Sequence, residues 1–569
     1  MNVSVSACYR EYVKSIDNAM LRALSKAYRQ LPLDVGVRQY CLSYCRGQLN
    51  QAINPEGVNQ SLLPIPKILQ DCNALCFMTI YLKEKVFSCF LGQGTDLISA
   101  MNQTLQFSIN EIMSKKSSIA NEKWMISICF LFNEQQASSI RLGIHGISVS
   151  QENKIAFFKN SVPINNNFNY QKTLEKLSEK AGLKKNAYLE KNTQIRTYDS
   201  LEFIEDEAYQ LCDLYRGNVL VLQSEVNETY LINALNSASN FIVKSLLPSG
   251  DIIHSVYSAN GEFEIEKTPS AVTRNIASIW QLLVVAQGCE LANYLDAAKK
   301  ALVHIVANYF VRSPYLCVSG KTHLGMNSLL LMAILAVNDN HFLKKERALL
   351  ICYIEKQISE NKKYFLVTGD EALLYPAEAM LALMMLFENT SNYTYLKLCE
   401  SLFPYYQALF YQTDKKSVMK SWLSKCCSKL FFATKKIGYA QFIFEMNDAI
   451  LQYQIPAGFV DVDLVGGFSL AGDCRTTATL SESLLEAYRV AVALNAVERI
   501  EVYEKAILMA LRFLLQLQVT SHRCQYPVAL GGFKNSVFDN TIRIDNVQHV
   551  LCVLSGCRDV INSASTSAK

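Results

Sequence analysis

Two glutamates, an aspartate and a histidine offer the plainest chemistry in this sequence. Glu378 stands in "LYPAEAM", Glu482 in "CRTTATLSES", and Asp545 and His549 in "RIDNVQH". Hydrolysis of a glycosidic bond uses two carboxyl groups, one neutral as acid and one ionised as base or nucleophile, and Glu378 with Glu482 is the best-placed pair. Epimerisation or elimination beside a carboxylate would instead use a base such as His549 or Tyr257. Arg274, Arg475 and Arg543 lie in comparable settings, and a guanidinium fork matches the carboxylate of such a substrate. His323 and Trp422, with Tyr257, complete the candidate binding set. The plainer reading of the same residues is local: Thr476 and Thr541 as helix caps, Pro376 in a first turn, and Arg543 paired with Asp545.

Nearly every one of these stretches leads into an apolar helical run. From about residue 226 the pattern is helical throughout, with segments beginning near Asn227, Ala271, Asn293, His323, Leu343, Pro376, Thr394, Lys416, Gly438, Thr476, Val502 and Thr541. The even-numbered members, such as "IASIWQLLVVA" and "AMLALMMLF", are apolar nearly all round and must be buried on most sides. The odd-numbered ones, such as "VYEKAILMALRFLLQLQ", keep a polar stripe. Six helical hairpins closed into an (α/α)6 toroid satisfy both, with an open solenoid as the alternative. In a closed ring the inner helices run one way, so their amino-terminal ends surround one cup. Unsatisfied N–H groups and positive dipole ends there favour anionic or heavily hydroxylated ligands. Three loops join that face: a hairpin in "DIIHSVYSANGEFEIEK" around Asn260-Gly261, and two Gly-Gly-Phe loops that either position aromatic rings or pack a phenylalanine.

The amino-terminal third reads as α+β. A hairpin is expected over Leu75 to Gly92 around a polar "KEK" turn, helices over Leu97 to Met113 and Tyr170 to Leu183, and strands over Trp124 to Phe132 and Ile140 to Ser150. The expected division is 1–206 for this domain, 207–225 for a connection, 226–557 for the toroid and 558–569 for a flexible tail.

Composition narrows the class. The 569 residues carry a formal net charge of +4, are half apolar and include 18 cysteines. No block of like charge points to nucleic acid or to a membrane surface. The start lacks the pattern of a secretory signal, no apolar run reaches the roughly 20 residues a bilayer needs, and the scattered cysteines suit free thiols, so a cytoplasmic protein is expected. No ligand spacing points to a metal and no local motif points to a nucleotide cofactor, so none is expected.

"GIHG" (Gly143 to Gly146), "KAGL" (Lys180 to Leu183) and the stretch "IAFFKNSVPINNNFNYQKTLEKLSEKAGL" make the region from about residue 10 to 206 resemble the AMMECR domain family. The resemblance implies a fold and the possibility of a protein partner. The family's central Arg-Gly-Cys motif is altered here to "VFSCFLG", with Phe87 and Ser88 before Cys89. Phenylalanine cannot grip an anion as arginine does, and Cys89 is left as either a small apolar residue or a reactive thiol. The helical half, with phrases such as "YPAEAMLAL" and "RIDNVQH", resembles the six-hairpin superfamily. That resemblance implies a carbohydrate-active enzyme of glycoside hydrolase, epimerase or lyase type, taking a glycan or a small polar or anionic ligand in its cup. A non-catalytic binding protein that keeps both folds is the alternative.

Overall fold

The computed structural model describes residues 12–20, 22, 33–53, 64–71, 74–82, 85–115, 124–206, 208–289, 292–310, 313–414, 416–520 and 526–566. Lys83 and Glu84 of the expected hairpin turn, and the start of the chain through residue 11, lie outside the described residues.

Largely apolar runs, buried on both faces in β1 and β3, build the amino-terminal sheet. Its strands are β1 (Leu75–Leu82), β2 (Lys85–Gln93), β3 (Trp124–Gln136), β4 (Gly146–Gln151), β5 (Lys154–Phe158), β6 (Gln194–Glu205), β7 (Leu211–Tyr215) and β8 (Asn218–Val219). They are antiparallel in the order β2-β1-β3-β6-β4-β5, with β7 added on β6 and β8 on β7. Helices α1 (Val35–Ile53) and α2 (Leu97–Ser114) contribute Cys41, Leu49, Met101 and Leu105 to a core shared with Met78, Ile80, Ile126 and Ile128. Asp96 starts α2 by accepting from the Ser99 N–H while the Ser99 hydroxyl covers the Asp96 N–H, a capping box. α3 (Tyr170–Lys180) ends where Gly182 turns into the left-handed region at φ +69°.

Two expectations need correction here. Residues 140–145 form turns rather than strand, because Gly143 sits at φ +82° and reverses the chain before β4. Residues 207–225, expected as a connection, hold β7 and β8 and so extend the sheet.

Twelve helices follow: α4 (Glu228–Ser245), α5 (Pro269–Cys289), α6 (Ala292–Tyr309), α7 (Leu324–Leu335), α8 (Lys344–Lys356), α9 (Glu371–Thr390), α10 (Tyr393–Gln412), α11 (Lys416–Thr434), α12 (Ile437–Leu451), α13 (Cys474–Ala493), α14 (Val497–Gln516) and α15 (Ile544–Thr566). α5, α7, α9, α11, α13 and α15 each pack on the next, and α15 packs back on α5, closing an inner ring. α6, α8, α10, α12 and α14 lie outside their preceding inner helices, and α4 lies against α15. This is the (α/α)6 toroid. Every residue of α7 is buried, as an inner helix covered on both sides requires. A second sheet spans the seam between α5 and α15, with strands β9 (Ile253–Tyr257), β10 (Phe263–Ile265), β11 (Lys534–Ser536) and β12 (Asp539–Arg543) in the order β10-β9-β12-β11.

Four helix limits differ from the sequence expectation, one of them that of α14, which begins at Val497 rather than near Val502. α9 begins at Glu371, so Pro376 lies inside the helix. Thr541 belongs to β12 and pairs with Tyr257, so the last helix starts at Ile544. That helix continues through Thr566 rather than giving way to a tail at 558.

The Gly-Gly-Phe loops are one structural motif used twice. Ile455 exchanges backbone hydrogen bonds with Gly466 and Gly467, and Val519 does the same with Gly531 and Gly532. Beside them, Gln454 donates to Gly466 O and Ala506 O, while Gln518 donates to Gly531 O and Ala234 O. Phe468 and Phe533 are buried, so these loops pack their rings instead of presenting them to a ligand. At Gly531, φ is +88° and a Cβ would lie 2.1 Å from Ser237 O. Gly531→Ala is therefore expected to destabilise the protein by about 1–3 kcal/mol, measured as a lower melting midpoint.

The two halves meet around a buried arginine. Arg216 reaches Asp461 at 2.8 Å and Asp463 at 3.0 Å. Arg141 adds a contact to Asp461 at 2.7 Å, and the Tyr215 hydroxyl donates to Asp461 at 2.9 Å. Burial pushes the Asp463 carboxyl up to about 6, against the pull of Arg216.

Candidate functional site

Each inner helix follows an outer one in sequence, so all six run in one direction and their amino-terminal ends share a mouth. Three arginines stand there. Arg543, at the end of β12, forks onto Asp545 with contacts of 3.0 and 2.9 Å. Arg274, in the second turn of α5, reaches the same carboxylate at 3.4 Å and His254 Nε2 at 3.4 Å. Arg475 opens α13 and acts on both Arg274 and Asp545 through its charge. Burial alone would raise the Asp545 pKa, but Arg543 and Arg274 outweigh it and hold the carboxyl below its usual range. The Arg274 and Arg543 side chains keep 30% and 31% of their surface exposed, enough to meet an anion.

Just inside, His323 caps α7. Its Nδ1 accepts from the Met326 N–H at 3.1 Å, and Nε2 lies 3.2 Å from Thr273 Oγ1. Burial lowers its pKa to about 4, so the ring is neutral near pH 7. It stacks on Tyr375 with centroids 4.4 Å apart and planes 12° apart. Burial, then Glu378, pushes the Tyr375 phenol up to about 12.

One turn further along α9 is Glu378. Burial pushes its carboxyl up to about 8, against the attraction of Lys425, so it carries a proton at neutral pH. Its Oε2 has no hydrogen-bond partner. Gly325 on α7 makes room for it: a Cβ there would lie 2.3 Å from Glu378 Oε2.

Glu482 takes the opposite state. It accepts from His549 Nδ1 at 2.8 Å, from the Ser421 hydroxyl at 2.8 Å and from Lys425 Nζ at 2.5 Å. Burial would raise its pKa, but Lys425 and then His549 overcome that and hold it at about 2. Lys425 lies 4.7 Å from the Trp422 ring centroid and 5.9 Å from that of Trp280. The two indoles stack 5.9 Å apart. Burial works against the Lys425 ammonium, yet Cys552 and Glu482 raise its pKa above the ordinary value.

Of the candidates, Glu482 and His549 are in direct contact, and Lys425 links them electrostatically to Glu378. Arg274, Arg543 and Asp545 form the mouth cluster, with Arg475 beside it. Tyr257 stands on the rim hairpin, where its hydroxyl donates to Glu264 at 2.9 Å. Cys89 lies apart, exposed on β2 in the amino-terminal half, where its sulfur accepts from Thr79 Oγ1 at 3.3 Å. Sequence reasoning missed Lys425, Ser421 and Trp280. Lys425 left a signal, as one of only two charges, with Lys429, in "SWLSKCCSKLFF", within an inner helix that has to be buried.

Among solved structures, an uncharacterised protein from Pyrococcus horikoshii is 13% identical, covering 32% of this chain and 98% of its own, at a TM-score of 0.28. The alpha-1,6-mannanase of Salegentibacter sp. HEL1_6 is 12% identical, covering 58% and 99%, at a TM-score of 0.43. The unsaturated glucuronyl hydrolase of Bacillus sp. GL1 is 11% identical, covering 57% and 96%, at a TM-score of 0.44. No curated protein matches the chain. The family model AMMECR1 matches residues 118–203, the part of the chain that runs from β3 into β6.

Proposed function

We propose that the toroid is a carbohydrate-active enzyme of glycoside hydrolase, epimerase or lyase type, with its site in the cup. The observation that carries this reading is the opposed state of two carboxyl groups on inner helices α9 and α13, on either side of α11, which supplies Lys425 to both: Glu378 held neutral up to about 8, Glu482 held ionised down to about 2. A neutral Glu378 supplies a proton to a departing oxygen. Ionised Glu482 takes the Nδ1 proton side of His549, which leaves Nε2 to accept a proton from a sugar carbon or from water. Arg274, Arg475 and Arg543 suit a substrate carboxylate at the mouth, and Trp422 supplies an aromatic wall. The test is turnover of a panel of aryl glycosides and uronate-containing oligosaccharides. His549→Asn, whose amide still reaches Glu482, is expected to cut turnover about 10²-fold with the fold intact. Absence of turnover of the whole panel by the unaltered protein sinks the reading.

A second reading is a binding protein without turnover. The near-complete burial of Glu482, 1% exposed, and of Glu378, 6% exposed, favours it. It predicts that His549→Asn binds the same oligosaccharides as the unaltered chain.

A further inference from the structure

The amino-terminal half reaches the mouth of the cup through a hairpin of the ring, formed by β11 and β12 with Val537 and Phe538 at its turn. Asn167, just after the short helix Ser161–Asn165 of the amino-terminal half, holds β12. Its Oδ1 accepts from the Asn540 N–H at 2.8 Å, and its Nδ2 donates to Thr541 Oγ1 at 3.1 Å. Beside it, Ile164 O accepts from Asn540 Nδ2 at 2.8 Å. Asn218 on β8 accepts from Lys534 Nζ on β11. The Arg216 guanidinium lies 4.8 Å from the ring centroid of Phe538 at the turn. A cleft of about 980 Å³, whose lining includes Asn218, Lys534, Asn540 and Cys89, runs beside the hairpin. The hairpin therefore meets the amino-terminal half at separate points, not across one packed face.

The other side of the same hairpin builds the mouth. Thr541, Ile542 and Arg543 pair with Tyr257, Val256 and Ser255 of β9, and Ser258 Oγ donates to Asn540 O at 2.8 Å. His254, next along β9, is the residue 3.4 Å from Arg274. Ser536 bridges to Asp473, which caps α13 by accepting from the Arg475 N–H at 2.8 Å. All three mouth arginines are thus tied to the hairpin: Arg543 by the chain itself, Arg475 through Asp473, Arg274 through His254. The charges of Arg543 and Arg475 act against that of Arg274, so the spacing of the three guanidiniums has to be imposed by the backbone that carries them. A site of this kind works only when its groups are held within about 0.5 Å of one geometry by the shell around them.

We propose that Asn167 is a positioning residue for the mouth, and that through it the amino-terminal half sets the affinity of the cup for an anionic ligand. The proposal rests on the cup reading above, in which these arginines meet a substrate carboxylate. Asn167 touches no group that meets the ligand. It acts by fixing β12, and with β12 the arginine that ends it.

Asn167 sits at φ +51°, where glycine is at ease, so Asn167→Gly deletes both side-chain bonds without straining the backbone. The full chain and this variant are titrated with D-glucuronate and with D-glucose, which requires no turnover. Asn167→Gly is expected to weaken glucuronate binding about tenfold, within the usual range of coupling between sites, and to leave glucose binding unchanged. Hydrogen exchange followed by mass spectrometry is expected to quicken over residues 253–257 and 539–545 and to keep its native rate in α7. A native chain that does not favour glucuronate over glucose sinks the anion reading of the cup and the proposal with it. A native chain that favours glucuronate, with Asn167→Gly binding it equally well, sinks the proposal alone. Equal loss of both sugars, unchanged exchange over 253–257, or exchange that quickens in α7 as well would each show a merely structural residue and overturn it.

Discussion

Glu378→Gln is expected to lower turnover by up to about 10⁴-fold, the upper range for a general acid, while the protein folds normally. At neutral pH the native group is an uncharged carboxyl, and glutamine has nearly its shape and no charge. The substitution therefore removes a transferable proton and little else. The pH dependence of stability separates this from a packing defect. The folded pKa of Glu378, about 8, is above its ordinary value near 4.5. Its stabilising share is complete below the ordinary value and declines as pH climbs from there through 8. The glutamine variant does not titrate, so it should match the native protein in melting experiments near pH 4.5 and exceed it at pH 9. Native activity should fall on the alkaline side as the same proton is lost. An unchanged turnover number in Glu378→Gln would end the role assigned to this residue.

Lys425→Met is expected to have the largest effect on stability, a loss of about 3–5 kcal/mol, because it strands a buried carboxylate. Methionine fills much of the same volume against Trp422 and Trp280, so the loss reports charge rather than a cavity. Glu482 would retain Ser421 and His549 but lose its closest cation. The native Glu482, at about 2, lies below its ordinary value, so its share of stability is present above about 4.5 and lost as pH falls from there toward 2. Without Lys425 the carboxyl titrates higher, and acid unfolding should begin at a higher pH. Melting curves across pH 3 to 7 measure both effects. A midpoint that stays within a degree of the native one at pH 7 would show that the buried pair is energetically neutral.

Much of the architecture was legible because it is written in local periodicity. A helix that is apolar all round, such as "SLLLMAILAV", has to be an inner one, and one with a polar stripe has to be an outer one. The starts of most of the twelve ring helices could be placed within a few residues this way. The misplaced starts show the limit of the method. Thr541 looked like a cap, but it is claimed by a strand whose partner, Tyr257, lies far away in the chain. Pro376 looked like a first turn, but the helix extends over it.

By itself the sequence determined the α+β character of the first part, the hairpin repeat of the second and the placing of polar residues at inner-helix starts. These follow from neighbours three, four or two residues apart, which any chain of this composition carries with it. Only the tertiary structure decided that α15 closes on α5, that Lys425 and His549 share Glu482, and that Cys89 faces a cleft rather than the cup. Those outcomes depend on side chains tens to hundreds of residues apart meeting where water is excluded. There burial and paired charge set protonation, and no local pattern records either.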